Sequence, residues 1–263
     1  MWAGCDGRLV MDGFDASGPL LVSVSALSAA EVESMHALMV RHFSGVSRAQ
    51  FEDDLGQKNR VVLLRNPSGV LEGFSTLRFY DEHDGRRPCS VIYSGDTVVD
   101  PRAWGSTRLF RGWLQAVLQL RAEREPGRRL YWLLLTSGYR TYRFLPLFWK
   151  RFFPRYDQPV PPRIRRLTDR LADGLFGSSY RPEEGIVRFP RPHRLRSHLA
   201  GIPEGRMDDP HIRYFARRNP GAGDGDELVS LTPVREGNLT PAGRRVLRSL
   251  EKKAPTAVSR APS

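Results

Sequence analysis

Residues 91–154 constrain the fold of this chain more than any other stretch. They read VIYSGDTVVDPRAWGSTRLFRGWLQAVLQL, then a short basic loop, then LYWLLLTSGYRTYRFLPLFWKRFFP. The order is strand, glycine-containing turn, long helix, buried strand and aromatic helix. That predicts a βαβα unit, whose two strands run parallel because a crossover helix carries the chain between them. The helix spans 106–121, with Leu109, Trp113, Val117 and Leu120 on one face and Phe110, Leu114 and Leu118 beside them, a broad apolar stripe suited to a sheet. Residues 131–135 are apolar without alternation, as in a strand covered on both faces. The turn before the helix places unsatisfied backbone N–H groups at a helix N-terminus, where an anion is favoured.

The preceding segment predicts β–α–α–β–β. Leu20 to Val24 reads as a short strand. Ser28 and Glu31 form a capping box ahead of Val32, Met35, Leu38, Met39 and Phe43 at helical spacing. Ser47 and Gln50 suggest a second box before Phe51 and Leu55. Strands over 60–65 and 70–80 flank Asn66-Pro-Ser-Gly69, a hairpin turn. After Tyr156 a proline-rich breaker leads to a basic helix near 164–175, a strand near 185–189, a helix near 210–217, a strand over 227–234 and a final helix opened by Thr240-Pro241. The expected division is an arm at 1–18, a core at 19–157, an α+β extension packed on it at 158–251, and a disordered tail at 252–263.

Over roughly residues 20–156 the layout resembles the acyl-donor-binding half of the GNAT superfamily of acyltransferases. Val99-Asp100-Pro101 matches that family's V-x-P strand end, and Gly105 matches the first glycine of its pyrophosphate loop. Residues 148–154, FWKRFFP, fall where its F/L-Y-x-x-x-G-F motif stands. The later loop glycines fall on Thr107 and Leu109, and the motif tyrosine on Trp149. The resemblance implies an α/β fold with a mixed central sheet flanked by helices and followed by the extension. It implies an N-acyltransferase that takes an acyl group from coenzyme A or from the phosphopantetheine thioester of an acidic acyl carrier protein, with no permanently bound cofactor. Thr97, Val98 and Val99 would hold the thioester carbonyl. Arg102, Gly105, Ser106, Thr107 and Arg108 would cradle the pyrophosphate. Asp96, a carboxylate on the same strand, would act as general base toward an amine, its other reading being an acid pinned by a backbone N–H or by Arg140. Tyr139 or Tyr142 would protonate the leaving thiolate, Tyr142 standing where the family has an asparagine; the other reading is aromatic packing.

The net charge is +12, and residues 101–200 hold 21 Arg/Lys against 7 Asp/Glu. The remaining residues therefore sum to about −2 (12 − 14), so the basicity is regional. Such a field suits an acidic partner or a phosphorylated ligand. Only Lys58, Lys150, Lys252 and Lys253 are lysines, a skew that looks like codon bias from a GC-rich, bacterial-type genome. The basic run 163–170 leaves a nucleic-acid partner open but not favoured, since the nearby aromatics fall at core spacing rather than as a stacking platform. The six histidines have no HExxH spacing, the acids at 224–227 lack EF-hand spacing, and there is no GxSxG or Walker loop. No run approaches a membrane span, and the first residues lack a signal-peptide pattern, so a cytoplasmic protein is expected. Cys5 and Cys89 read as free thiols. A catalytically inactive binding protein of the same shape remains the alternative to the enzyme.

Overall fold

The computed structural model of the chain describes residues 20–104 and 106–252. The helices are α1 (Ala29–His42), α2 (Arg48–Gly56), α3 (Arg108–Ala122), α4 (Tyr139–Tyr142), α5 (Phe144–Phe148), α6 (Pro162–Phe176), α7 (Ser197–Ala200), α8 (Pro210–Arg218) and α9 (Pro241–Glu251). The strands are β1 (Leu20–Ser23), β2 (Phe43–Ser44), β3 (Arg60–Arg65), β4 (Leu71–Asp84), β5 (Arg87–Val99), β6 (Arg129–Thr136), β7 (Tyr180–Arg181), β8 (Ile186–Val187), β9 (Arg194–Leu195) and β10 (Glu227–Pro233). Eight strands form one mixed sheet in the order β1-β3-β4-β5-β6-β10-β8-β7, and β2 pairs with β9 separately. Within that sheet only β5 and β6 run parallel, joined by α3 as the βαβ argument requires. The element order and the helix-flanked mixed sheet match the α/β layout expected from the sequence. The segment after residue 158 supplies β10, which enters the same sheet beside β6.

The sheet is covered on both faces. Against one face pack α3, α5, α8 and α9, around Ile92, Trp132, Leu134 and Leu228. Here the rings of Phe110 and Phe148 stack with centroids 3.6 Å apart, a contact that adds to their buried area. The opposite face is divided. α1 and α2 cover the β1–β3–β4 half through Met35, Met39, Phe51 and Leu55, while α6 covers the β6–β10 half through Leu167 and Leu171. β6 sends Leu130, Trp132 and Leu134 to one side and Tyr131, Leu133 and Leu135 to the other, which explains its unbroken apolar reading.

Four local expectations change. β4 runs to Asp84 and returns in β5 from Arg87, a hairpin extension hidden by its polar sequence. Ser47 accepts from the Gln50 N–H, but the Gln50 side chain donates to the Arg191 carbonyl rather than closing a box. Leu118 is exposed. The aromatic helix stops at Phe148; Trp149 and Phe153 instead form bridges to Leu239 and Leu231, because β10 and the turn before α9 offer backbone partners there. The expected arm and Cys5 lie outside the described residues, as does the expected tail apart from Lys252.

Candidate functional site

The parallel ladder between β5 and β6 ends at Ser94 and Leu134, yet both strands continue. Residues 97–99 stay paired with β4, and Leu135 and Thr136 stay paired with β10. The strands therefore splay, and the edge of β5 that faced β6 is left without a ladder partner beyond Ser94. Backbone groups freed this way seek a ligand or water. A register shift deepens the opening: Leu77 pairs with Ser94 and Ser75 with Thr97, so Gly95 and Asp96 both oppose Thr76. Such a bulge re-aims the side chain at its crest, and here that side chain is Asp96.

A cavity of about 620 Å³ occupies the splay, between α1 and α2 on one side and α6 on the other. That is mid-range for a small-molecule site. One end is lined by Val98, Val99, Trp104, Ser106, Thr107 and Arg140. The other gathers Asp54, Lys58, Tyr93, Asp96, Phe176 and Glu227. The Tyr93 ring meets Phe176 edge-on at 5.4 Å, and Lys58 Nζ stands 5.3 Å from the Tyr93 centroid.

The charged end perturbs its own members. Burial first, then the negative charges of Asp96 and Asp54, push the Glu227 carboxyl up to about 8. Burial, with Asp96 next, also raises Asp54. Lys58 is lowered by burial, against the pull of the same acids. Gly95 leaves room for it: a Cβ there would stand 2.7 Å from Lys58 Cε and 2.9 Å from Thr76 Oγ1, so either side chain would have to shift.

Of the residues expected from sequence, Asp96, Thr97, Val98, Val99, Ser106, Thr107 and Tyr139 all line the cavity. The Thr97 hydroxyl bonds to that of Ser75 at 2.9 Å, and the Val98 side chain packs in the core under α1. What these two offer the cavity is backbone. Tyr142 departs from expectation. It is fully buried, its hydroxyl donates to the Pro154 carbonyl at 3.1 Å, its ring packs on Phe152 and Phe215, and burial drives its phenol pKa upward. It is a packing residue, because the fold closes Phe152, Phe215 and the Pro154 carbonyl around it, whereas Tyr139, one turn earlier and also buried, lines the cavity wall.

The anion loop is also differently employed. Arg102 forks onto Asp100 with bonds of 3.0 and 3.1 Å, and these bonds draw the Asp100 carboxyl down to about 2. Arg108 pairs with Glu72 at 3.0 Å and also donates to the Arg65 carbonyl. Neither guanidinium is aimed at the cleft by these bonds. Gly105 lies outside the described residues. At the mouth, the Trp104 indole N–H donates to the Val99 carbonyl at 2.8 Å, and Arg140 stacks 4.1 Å over the Trp104 ring while donating to the Leu199 carbonyl. Arg140 thus ties the strand end of β5 to α7, and is not the partner of Asp96.

Sequence reasoning missed Asp54, Lys58 and Glu227. The available signals were weak: Lys58 is the only lysine before Lys150 in an arginine-rich chain, and Glu227 is an acid opening an apolar strand. No helix among the described residues is long and apolar enough to cross a membrane.

No protein-family model matches the chain, and no curated protein matches it. Among solved structures, a GNAT-family N-acetyltransferase from Escherichia coli in complex with CoA is 16% identical over 50% of this chain and 69% of its own, with a TM-score of 0.36. N-acetylglutamate synthase from Neisseria gonorrhoeae, complexed with coenzyme A and N-acetyl-glutamate, is 15% identical over 57% of this chain and 32% of its own, at 0.35. A Mycobacterium tuberculosis protein in complex with CoA is 11% identical over 82% of this chain and all of its own, at 0.37. At such values these likenesses assign no role to any residue of this chain.

Proposed function

We propose that the protein is an N-acyltransferase that moves an acyl group from a thioester donor to an amine held at the acidic end of the cavity. One observation carries the reading: the splay of β5 from β6 opens a cavity with unladdered backbone on one wall and a carboxyl pushed up to about 8 at its far end. The donor's carbonyl takes backbone N–H groups of residues 97–99, its sulfur lies toward Tyr139, and the amine sits beside Asp96 and Glu227. A general base works best when its pKa is near the working pH. Glu227 therefore takes the amine proton, and Asp96 orients the ammonium and helps set the Glu227 pKa. Nitrogen attacks the carbonyl, the C–S bond breaks, and Tyr139 protonates the departing thiolate. Holding both reactants in one cleft lowers the barrier further through orientation.

Arg102 and Arg108 already bond to Asp100, Glu72 and the Arg65 carbonyl, which favours a donor gripped mainly by its pantetheine arm. Coenzyme A and a carrier-bound phosphopantetheine share that arm, and the basic 101–200 region would complement an acidic carrier.

Thiol release from acetyl-coenzyme A and acetyl-pantetheine, measured across a panel of amines, tests the proposal. Amine-dependent release is expected, with the rising limb of kcat/KM near pH 8 lost in Glu227→Gln. Thermal protection by donor without release under any amine would instead support a binding protein. Neither release nor protection would end the thioester reading.

A further inference from the structure

We propose that Lys58 is an acylation site of the protein itself, its amine accepting the acyl group of a thioester bound in the cleft. This rests on the thioester reading above. The placement of the amine makes the argument. Lys58 Nζ stands 3.3 Å from where a Gly95 Cβ would be, at the bulge of the strand that walls the cleft, and it lines the same cavity as Asp96 and Glu227. Its hydrogen bond goes to the backbone carbonyl of Asp54, at 2.9 Å, and no carboxylate among the described residues lies within ion-pair distance. The amine is thus held at the acyl site without being locked to an acid.

Its surroundings suit a nucleophile. Asp54 faces it from α2, Arg78 from β4, Asp96 from β5 and Glu227 from β10. Burial outweighs the acids and lowers the amine's pKa from its ordinary value, toward the neutral form that attacks. An arginine could not do this, since a guanidinium keeps its proton. A lysine at this point, in a chain that otherwise uses arginine almost throughout, places a nucleophile where a charge alone was not required. In the step, Nζ attacks the thioester carbonyl, the C–N bond forms and the C–S bond breaks. The proton leaves nitrogen for Glu227 and passes to the thiolate. The products are an acyl-lysine and a free thiol, with no oxidant or reductant.

Intact-protein mass spectrometry after incubation with acetyl-coenzyme A, without added amine, tests this. One added acetyl group is expected, mapped to Lys58 by peptide sequencing, absent in Lys58→Arg, and slowed when a competing amine is present. Peptide mapping of the unmodified sequence keeps the test independent of how the variant folds. Acetylation spread equally over Lys58, Lys150, Lys252 and Lys253 would overturn the proposal, as would no adduct while the donor protects the protein thermally. Absence of any donor binding would refute the thioester reading as well, a separate and recognisable result.

Discussion

Replacing Glu227 by glutamine should flatten the dependence of stability on pH. The unfolded chain ionises this carboxyl near the ordinary 4.5, whereas the folded protein holds the proton up to about 8. Between those values the native state binds a proton that the unfolded state has released, so stability falls as pH rises through the window. At about 1.4 kcal/mol per pH unit, a shift of roughly 3.5 units sets a ceiling of about 5 kcal/mol. The side chain lines a water-accessible cavity, which raises the effective dielectric, so about half of that ceiling, roughly 2–3 kcal/mol, is expected. For a chain this long that corresponds to roughly 4–12 °C in Tm. Thermal melts at pH 5 and pH 8.5 for the parent and Glu227→Gln provide the assay. The parent should lose that much more on going to pH 8.5 than the variant does. Parallel curves would mean that Glu227 ionises normally, and the assignment of a base poised near pH 8 would fall.

Asp96→Asn should lower kcat/KM about 10²-fold, the usual scale for losing a group that positions or accepts a proton; an unchanged rate in the thiol-release assay would remove Asp96 from the mechanism. Tyr142→Phe should cost about 1 kcal/mol of stability through the lost bond to Pro154 and leave turnover intact, whereas a large fall in kcat would restore it as a proton donor. Arg140→Ala should raise the donor KM more than it lowers kcat, because it unties Trp104 and α7 at the cleft mouth. Asp84 is buried and accepts from Arg129, Arg163 and the Tyr131 hydroxyl. Asp84→Ala should therefore cost about 2–3 kcal/mol in urea melts. It should also remove the stability that the parent loses in acid, where this carboxyl, held below its ordinary value, finally protonates.

The backbone of the site was legible before the structure, and its chemistry only in part. The βαβ unit followed from the apolar stripe of α3 and the unalternating run of β6, both of which report burial directly. Asp96 stood out because an acid within a strand otherwise bounded by valines needs a purpose. Glu227 and Lys58 did not, since each becomes unusual only when β10 and the turn after α2 meet across a cavity, and periodicity carries no information about that meeting. The packing role of Tyr142 depends on Phe152, Phe215 and the Pro154 carbonyl, which the fold brings around it and which spacing alone does not reveal. The pairings of Arg102 and Arg108 in the expected donor loop were not read from the sequence either. Their partners, Glu72 in one case and Asp100 in the other, sit on strands brought near by the fold or at a local turn.

The position of β10 beside β6 has a consequence for how the molecule comes into being. About 90 residues separate Thr136 from Glu227, so the outer edge of β6 waits for its partner until those residues have been synthesised. Closing a loop of that length costs about 4 kcal/mol of chain entropy before any contact repays it, and pairings so distant in sequence form slowly. In the interval a strand apolar on both faces, from Tyr131 to Leu135, presents a bare edge of the kind that invites association with other chains. A nascent chain stalled before β10 would be sticky and inert, with half the wall of its cavity missing. Completion of the sheet and assembly of the acidic end of the cavity are then one event.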